Sequence, residues 1–347
     1  MMPHGDIDWQ SVKRVLVVKL RSIGDTVLST PSLIALDRFL PEAQIDILLE
    51  DWVAPILHGF EHVDSVISVG KSAASRASVA WNIRRRGYDV VFNLHGGSTS
   101  TFFTRASGAP HRIGNENYRY SFLYNRLLNS SADFWQKAAT HSAEQQLALL
   151  GSVGISVMDR PRTKLVVTPE AAEQIDQKLG SLVPDTAAFA LLHPASALAT
   201  KQWSADNFAR IAEFLAGLGL STIAIASPRE REVLEAVKRQ ARVPIAILDD
   251  LSLPEITALA ARARIFVGND SGIAHIAAAV NTPTVVIFGS SNRIHWHPWT
   301  DARNEMVYLE MPCQPCPGYS CAVFGEPKCI LGVTAADVTR AVERVLT

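Results

Sequence analysis

The sequence lacks most features that mark a membrane-spanning, nucleic-acid-binding or disulfide-built protein. No apolar run approaches the roughly 20 residues needed to cross a bilayer. The polar start, Met1 to Lys13, leads into Val15–Val18, which is shorter than the apolar core of a signal peptide, about 7–15 residues. A cytoplasmic chain is therefore expected. Lys and Arg total 33 against 34 Asp and Glu, a net charge of −1, which argues against a general nucleic-acid binder. Charged residues, at 19%, fall below the usual ~25%. There are 4 cysteines, confined to Cys313–Cys329 and not scattered as a disulfide framework. The first loop has neither the Gly-x-Gly-x-x-Gly dinucleotide fingerprint nor a phosphate-binding Gly-x-x-x-x-Gly-Lys-[Ser/Thr] loop.

What is present is apolar bulk: 48% hydrophobic residues in 347, enough for two domains. Arg14–Leu20 is β-branched and does not alternate, as buried parallel strands tend not to. It predicts a strand, then a loop through Asp25 and a helix over 26–39 that stops before Pro41. Strands are predicted at 45–49, 66–69 and 89–94, with a helix at 78–86. The stretch 105–137 reads as irregular, and a helix at 141–153 closes the first half. A strand at 164–167, a helix at 169–182 and a linker in this neighbourhood follow. Strands at 187–192, 221–226, 245–247, 264–267 and 284–288 then alternate with helices at 204–218, 229–240, 252–262, 271–280 and 334–346. The last helix and that at Ser252 open on Ser/Thr-x-x-Glu/Asp boxes. Such alternation implies two parallel α/β sheets, whose ligands bind beyond the strands' carboxyl ends.

Four stretches carry candidate chemistry. Arg21-Ser-Ile-Gly-Asp25 links strand to helix, where Asp25 could cap the helix or take a proton from an incoming hydroxyl. Gly268-Asn-Asp-Ser-Gly-Ile-Ala-His275 runs from strand to an Ala-rich helix. Amides at its start suit a phosphate, although a simple capped turn accounts for the same residues, and His275 could be core. His193-Pro-Ala-Ser-Ala-Leu-Ala-Thr-Lys201 ends in a compact cation. After the next strand, Glu230 could hold a ribose or merely begin a charged helix.

Between Lys71 and Lys137, ten basic residues face three acids, a surplus of seven, interleaved with Tyr118, Tyr120, Phe122, Tyr124 and Trp135. That segment could recognise an anionic acceptor, or RNA, or be a solvated face. Cys313, Cys316, Cys321 and Cys329 supply enough thiols for one structural zinc, though the spacing is not that of a standard zinc ribbon, and free or redox-active thiols are the other reading.

Together these residues resemble glycosyltransferase family 9, the ADP-heptose:lipopolysaccharide heptosyltransferases. The likeness runs from about Arg14 to Leu346. It includes Arg14-Val-Leu-Val-Val-Lys-Leu-Arg-Ser-Ile-Gly-Asp25, Tyr88-Asp-Val-Val-Phe-Asn-Leu-His-Gly96, Arg112-Ile-Gly114, His141-x-x-Glu144, Lys201-Gln-Trp203, the 268–275 stretch and Cys313-Gln-Pro-Cys316. Asn93 and His95 stand where the family more often has Asp and Gln.

The resemblance implies an α/β GT-B fold, two Rossmann-like domains facing across a cleft. An acceptor-binding domain would span 1–165 and a nucleotide-sugar-binding domain 166–333, with a terminal helix, 334–347, returning to the first. It implies inverting, metal-independent transfer of heptose from ADP-heptose, with Asp25 as base and no further cofactor. Lys201, Asp270, Ser271, Gly272, His275 and Glu230 would bind the donor, and Arg21, Arg112 and His141 the acceptor. No metal-binding Asp-x-Asp motif accompanies these residues. The implied partner is an anionic lipopolysaccharide-core acceptor at the inner membrane, not a nucleic acid, reached by peripheral attachment on the cytoplasmic face. The alternative keeps the fold and changes the donor to another nucleotide sugar, for a different transfer or an epimerisation.

Overall fold

A computed structural model describes residues 7–180, 182, 188–316 and 318–347. Pro184, Ala187, Pro317 and Ser181, near the end of the helix expected to reach Leu182, lie outside the described residues. The chain divides into two compact units, residues 1–164 and 165–347.

The first unit holds a parallel six-stranded sheet. Its strands are β1 (Arg14–Leu20), β2 (Gln44–Glu50), β3 (Ser65–Val69), β4 (Val90–Asn93), β5 (His111–Asn115) and β6 (Arg126–Leu128), in the order β3-β2-β1-β4-β5-β6. The second unit repeats the plan with β7 (Phe189–His193), β8 (Ser221–Ile225), β9 (Ile245–Leu248), β10 (Ile265–Asn269), β11 (Thr284–Phe288) and β12 (Asn304–Tyr308). Its order is β12-β11-β10-β7-β8-β9. Counting from each unit's first strand, both sheets read 3-2-1-4-5-6, the doubly wound order. The order reverses between β1 and β4 in one unit and between β7 and β10 in the other. Crevices for ligands open at those reversals, beyond the carboxyl ends of the strands.

Central strands are buried over nearly their whole length: Val15 to Val18 and Ile265 to Val267 are fully shielded. Covered on both faces, they need no alternation. The second unit's core gathers Leu192, Phe208, Ile211, Leu215, Leu234, Val267, Val285 and Ile287, together with Val338, Ala341, Val342 and Val345 of the terminal helix Ala335–Leu346. The resemblance implied that this helix returns to the first unit. It packs instead against β11, β12 and the helix Ala205–Gly217, because its whole apolar stripe completes the second core. Arg344 adds an ion pair to Glu305 of β12 at 3.0 Å.

Three local expectations differ. The helix expected over 26–39 is two helices, Ile23–Val27 and Thr30–Phe39. Hydroxyls of Thr26, Ser29 and Thr30 bond to the carbonyls of Ser22, Thr26 and Val27 at 2.6–2.7 Å, competing with the helical ladder, and Pro31 lacks an N–H. No strand forms at 164–167, where the Lys164 amide bonds to the Thr30 hydroxyl and that of Leu165 to the Ala279 carbonyl. The stretch 105–137 holds β5 and β6, three to five residues each and too short to show a period.

Candidate active site

In the first unit the chemistry gathers where β1 and β4 end. Pairing with β2 is irregular between Val18 and Leu20, and buried Leu20 takes φ +58°. A bulky residue in left-handed backbone costs about 1–3 kcal/mol and marks a site held by its surroundings. Lys19, 3% exposed, donates from Nζ to the Leu94 carbonyl at 3.0 Å and to Asp25 Oδ1 at 3.1 Å. Ser22 Oγ donates to Asp25 Oδ2 at 2.9 Å.

Ser22, not Asp25, occupies the cap position of the helix Ile23–Val27, and Asp25 sits in its first turn. Burial would raise the Asp25 carboxyl, but the Lys19 ammonium and the hydrogen bonds from Lys19 and Ser22 outweigh it and hold it below the ordinary value. The side chain keeps 30% exposure. It is thus an ionised, oriented carboxylate with an open side, the form a proton acceptor needs.

His95 stands beside this carboxylate. Burial, then Lys19, lower its proton affinity and favour the neutral ring. Asn93 serves the frame. Its Oδ1 accepts from the amides of His95 and Gly96 at 2.9 and 3.0 Å, and its Nδ2 reaches Tyr124 Oη at 2.6 Å. Gly96, at φ +82°, lies under Tyr118, whose ring a Cβ would approach to 2.4 Å.

The expected acceptor residues separate. Arg21 is exposed and lies by His95, which its backbone engages. Arg112 donates to the carbonyls of Leu123 and Ala109 at 2.8 Å each, bracing its own loop. His141 is buried and caps the helix Ser142–Gly151, its Nδ1 accepting from the Ala143 amide at 3.1 Å. Glu144 closes that box by accepting from the His141 amide at 3.0 Å.

In the second unit a comparable cluster lies where β7 and β10 end. Lys201 Nζ pairs with Asp270 Oδ2 at 2.8 Å, and Ser291 also donates to that oxygen. Asn269 accepts from the Trp203 amide at 3.1 Å and donates to the Pro194 carbonyl at 2.8 Å. Lys201 and Asp270 are thereby brought together, with Ser271 and Gly272 immediately following.

Ser204, Ser252 and Thr334 each cap their helices with a side-chain acceptor. Ser271, at the cap of Gly272–Ala279, does not; its hydroxyl engages His193 Nδ1 at 3.2 Å. The first-turn amides are left without a side-chain cap beside a lysine, an arrangement suited to a phosphate. Burial lowers the His193 pKa to about 4, with Glu230 opposing in part, so His193 is a neutral ring at neutral pH. His275 is buried one turn into the helix. Glu230 sits beyond β8, where its carboxylate accepts from the Ser227 hydroxyl at 2.6 Å and closes a capping box.

Sequence reasoning missed Lys19, Ser22, His95 and Ser291. Lys19 carried a readable signal, being a charge inside an otherwise apolar strand. His95 and Ser291 depend on chain segments meeting, whereas Ser22 lies only three residues from Asp25.

Among the described residues, no three or more His, Cys, Asp or Glu side chains are arranged to hold a metal ion. The four cysteines are free thiols. They line one pocket of about 250 Å³ with Thr200 and Phe324. Among the described residues no helix is long and apolar enough to cross a membrane.

Residues 76–324 match the sequence model of Glycosyltransferase family 9 (heptosyltransferase). Lipopolysaccharide heptosyltransferase 3 of Escherichia coli K12 is 26% identical over 94% of this chain and 96% of its own. The crystal structure of a family 9 glycosyl transferase from Veillonella parvula superposes with a TM-score of 0.84 at 21% identity, covering 96% of this chain and 97% of that one. The E. coli ADP-heptose lps heptosyltransferase II structure gives 0.78 at 22%, covering 96% and 98%.

Proposed function

The chain belongs to glycosyltransferase family 9 and has the family's α/β GT-B fold, and from that premise we propose that it moves heptose from ADP-heptose to a lipopolysaccharide inner-core sugar with inversion at the anomeric carbon. The observation that carries this reading is the helix start at Gly272, which lacks a side-chain cap and adjoins the Lys201–Asp270 pair at the second sheet's reversal point.

In this reading Asp25 takes the proton of the acceptor hydroxyl, whose oxygen forms the new bond to the anomeric carbon. The bond from that carbon to the diphosphate breaks, and ADP leaves with the electron pair. Lys201 and the amides of the helix Gly272–Ala279 meet the charge that develops on the leaving diphosphate. Asp270 and Ser291 position Lys201. Lys19 keeps Asp25 ionised and turned toward solvent. Residues 1–164 then bind the acceptor, with Arg21 the best placed of the three expected contacts, and 165–347 bind the donor. His275 and Glu230 support the donor site through the helix and loop they brace. No step calls for a metal, so turnover should persist in chelator. The lipid-anchored acceptor implies work at the cytoplasmic face of the inner membrane without a spanning helix.

The test is ADP release from ADP-heptose and a core acceptor in EDTA, beside a thermal-shift panel of nucleotides. Acceptor-dependent release and stabilisation by ADP are expected. Stabilisation by UDP with none by ADP would overturn the donor, and dependence on added divalent metal would overturn the role given to Lys201.

A further inference from the structure

The helix Ala73–Arg86 contains four arginines and no acidic residue, and Val79 and Ile83 are its buried side chains. At 100° per residue these two define the inward face, which puts Trp81 at the opposite apex with Arg84 and Arg85 on its two flanks. Trp81 is 64% exposed. The helix Ser98–Ala106 packs beside it and turns Ser98, Phe102 and Arg105 outward as one stripe, with Phe102 49% exposed.

Arg84 lies against Gly108, just past that second helix, where a Cβ would fall 2.2 Å from its guanidinium. Arg86 is held by Asp46. Among the described residues Arg84, Arg85 and Arg105 have no carboxylate partner. Repelling cations around a hydrated indole are unfavourable in water. A layer of phosphates over an apolar interior relieves both, since Trp favours the headgroup level and basic helices with aromatic faces lie in that plane. Single-stranded nucleic acid is held instead in a groove, whereas these side chains stand on the outer surfaces of two helices.

We propose that this two-helix face docks the protein on an anionic phospholipid bilayer. Trp81 and Phe102 enter the headgroup–acyl boundary, and Arg84, Arg85 and Arg105 pair with lipid phosphates. The proposal rests on the transferase reading for its purpose, bringing the enzyme to a lipid-anchored acceptor.

The test is co-sedimentation of the full chain with vesicles of phosphatidylglycerol mixed with phosphatidylcholine, and with phosphatidylcholine alone. Binding that needs phosphatidylglycerol and weakens with salt is expected. R84Q/R85Q should lower it about 25-fold, roughly fivefold per cation removed. W81S should weaken it even where salt has screened the charges, and the exposed positions leave melting temperatures unchanged. No phosphatidylglycerol-dependent binding at low salt, or equal binding by W81S and wild type, overturns the proposal. So does tighter binding of a single-stranded RNA oligomer that the same variants abolish. Thermal shift with ADP on the same preparations separates the two readings. An ADP response without vesicle binding removes the docking face alone, and vesicle binding without an ADP response removes the donor assignment alone.

Discussion

At Asp25 two opposing effects meet, and their balance sets the chemistry. Burial favours the neutral acid, whereas Lys19 at 3.1 Å and Ser22 at 2.9 Å favour the carboxylate and prevail. Asp25→Asn keeps the shape and removes the base. Turnover should drop about 100- to 10,000-fold while ADP still raises the melting temperature, and normal turnover would remove the base assignment. Lys19→Met removes the cation that lowers the Asp25 proton affinity. The carboxyl must then rise, and because the ionised form is the active one, the acid limb of kcat/KM should move to higher pH. An unmoved limb would show that Lys19 does not tune the base. Asp25 was legible from its place after the first strand. The grip of Lys19 was not, because that side chain turns to both Asp25 and the Leu94 carbonyl, and Leu94 comes beside β1 only when β4 pairs with it.

The elements around the second cluster are set by close backbone approach. A Cβ on Gly289 would fall 2.2 Å from the Thr200 carbonyl, which belongs to the short turn carrying Lys201. Gly289→Ala should therefore cost about 1–3 kcal/mol and weaken ADP binding, measured by melting and by titration. Retained ADP affinity would show that the turn shifts freely.

His193, at the end of β7, has a folded pKa of about 4, below its unfolded value. Between about pH 4 and 6.5 the unfolded chain therefore binds a proton that the folded chain refuses, and stability rises with pH by up to about 1.4 kcal/mol per unit. His193→Gln should flatten that slope in denaturant titrations at successive pH values. Most of these elements follow the sequence pattern. The exceptions, the broken helix at Leu28–Ser29 and the absent strand at 164–167, arise where side-chain hydroxyls offer the backbone other partners.

The two units each enclose a core of their own. Leu215→Ala in the second and Leu16→Ala in the first, both fully buried, should each cost about 2–5 kcal/mol. Scanning calorimetry should place each loss in its own unit. ADP at a hundred times its Kd, worth about 2.7 kcal/mol, should offset Leu215→Ala and leave the first unit's transition in Leu16→Ala where it was. ADP rescue of Leu16→Ala in place of Leu215→Ala would put the donor site in the wrong half.

By itself the sequence determined the α/β alternation, the positions of most strands, and the stretches that carry Asp25, Lys201 and Asp270. Apolar runs, glycines and capping residues are local, and local chemistry can be read along a chain. Tertiary structure alone decided that Lys19 grips Asp25, that His141 caps its own helix and Arg112 braces its own loop, and that the cysteines line one pocket. It also placed the terminal helix on the second core. The packing of the terminal helix depends on strands that meet only after they reorder to 3-2-1-4-5-6, and the shorter contacts depend on where the backbone turns each side chain; neither leaves a periodic trace in the sequence.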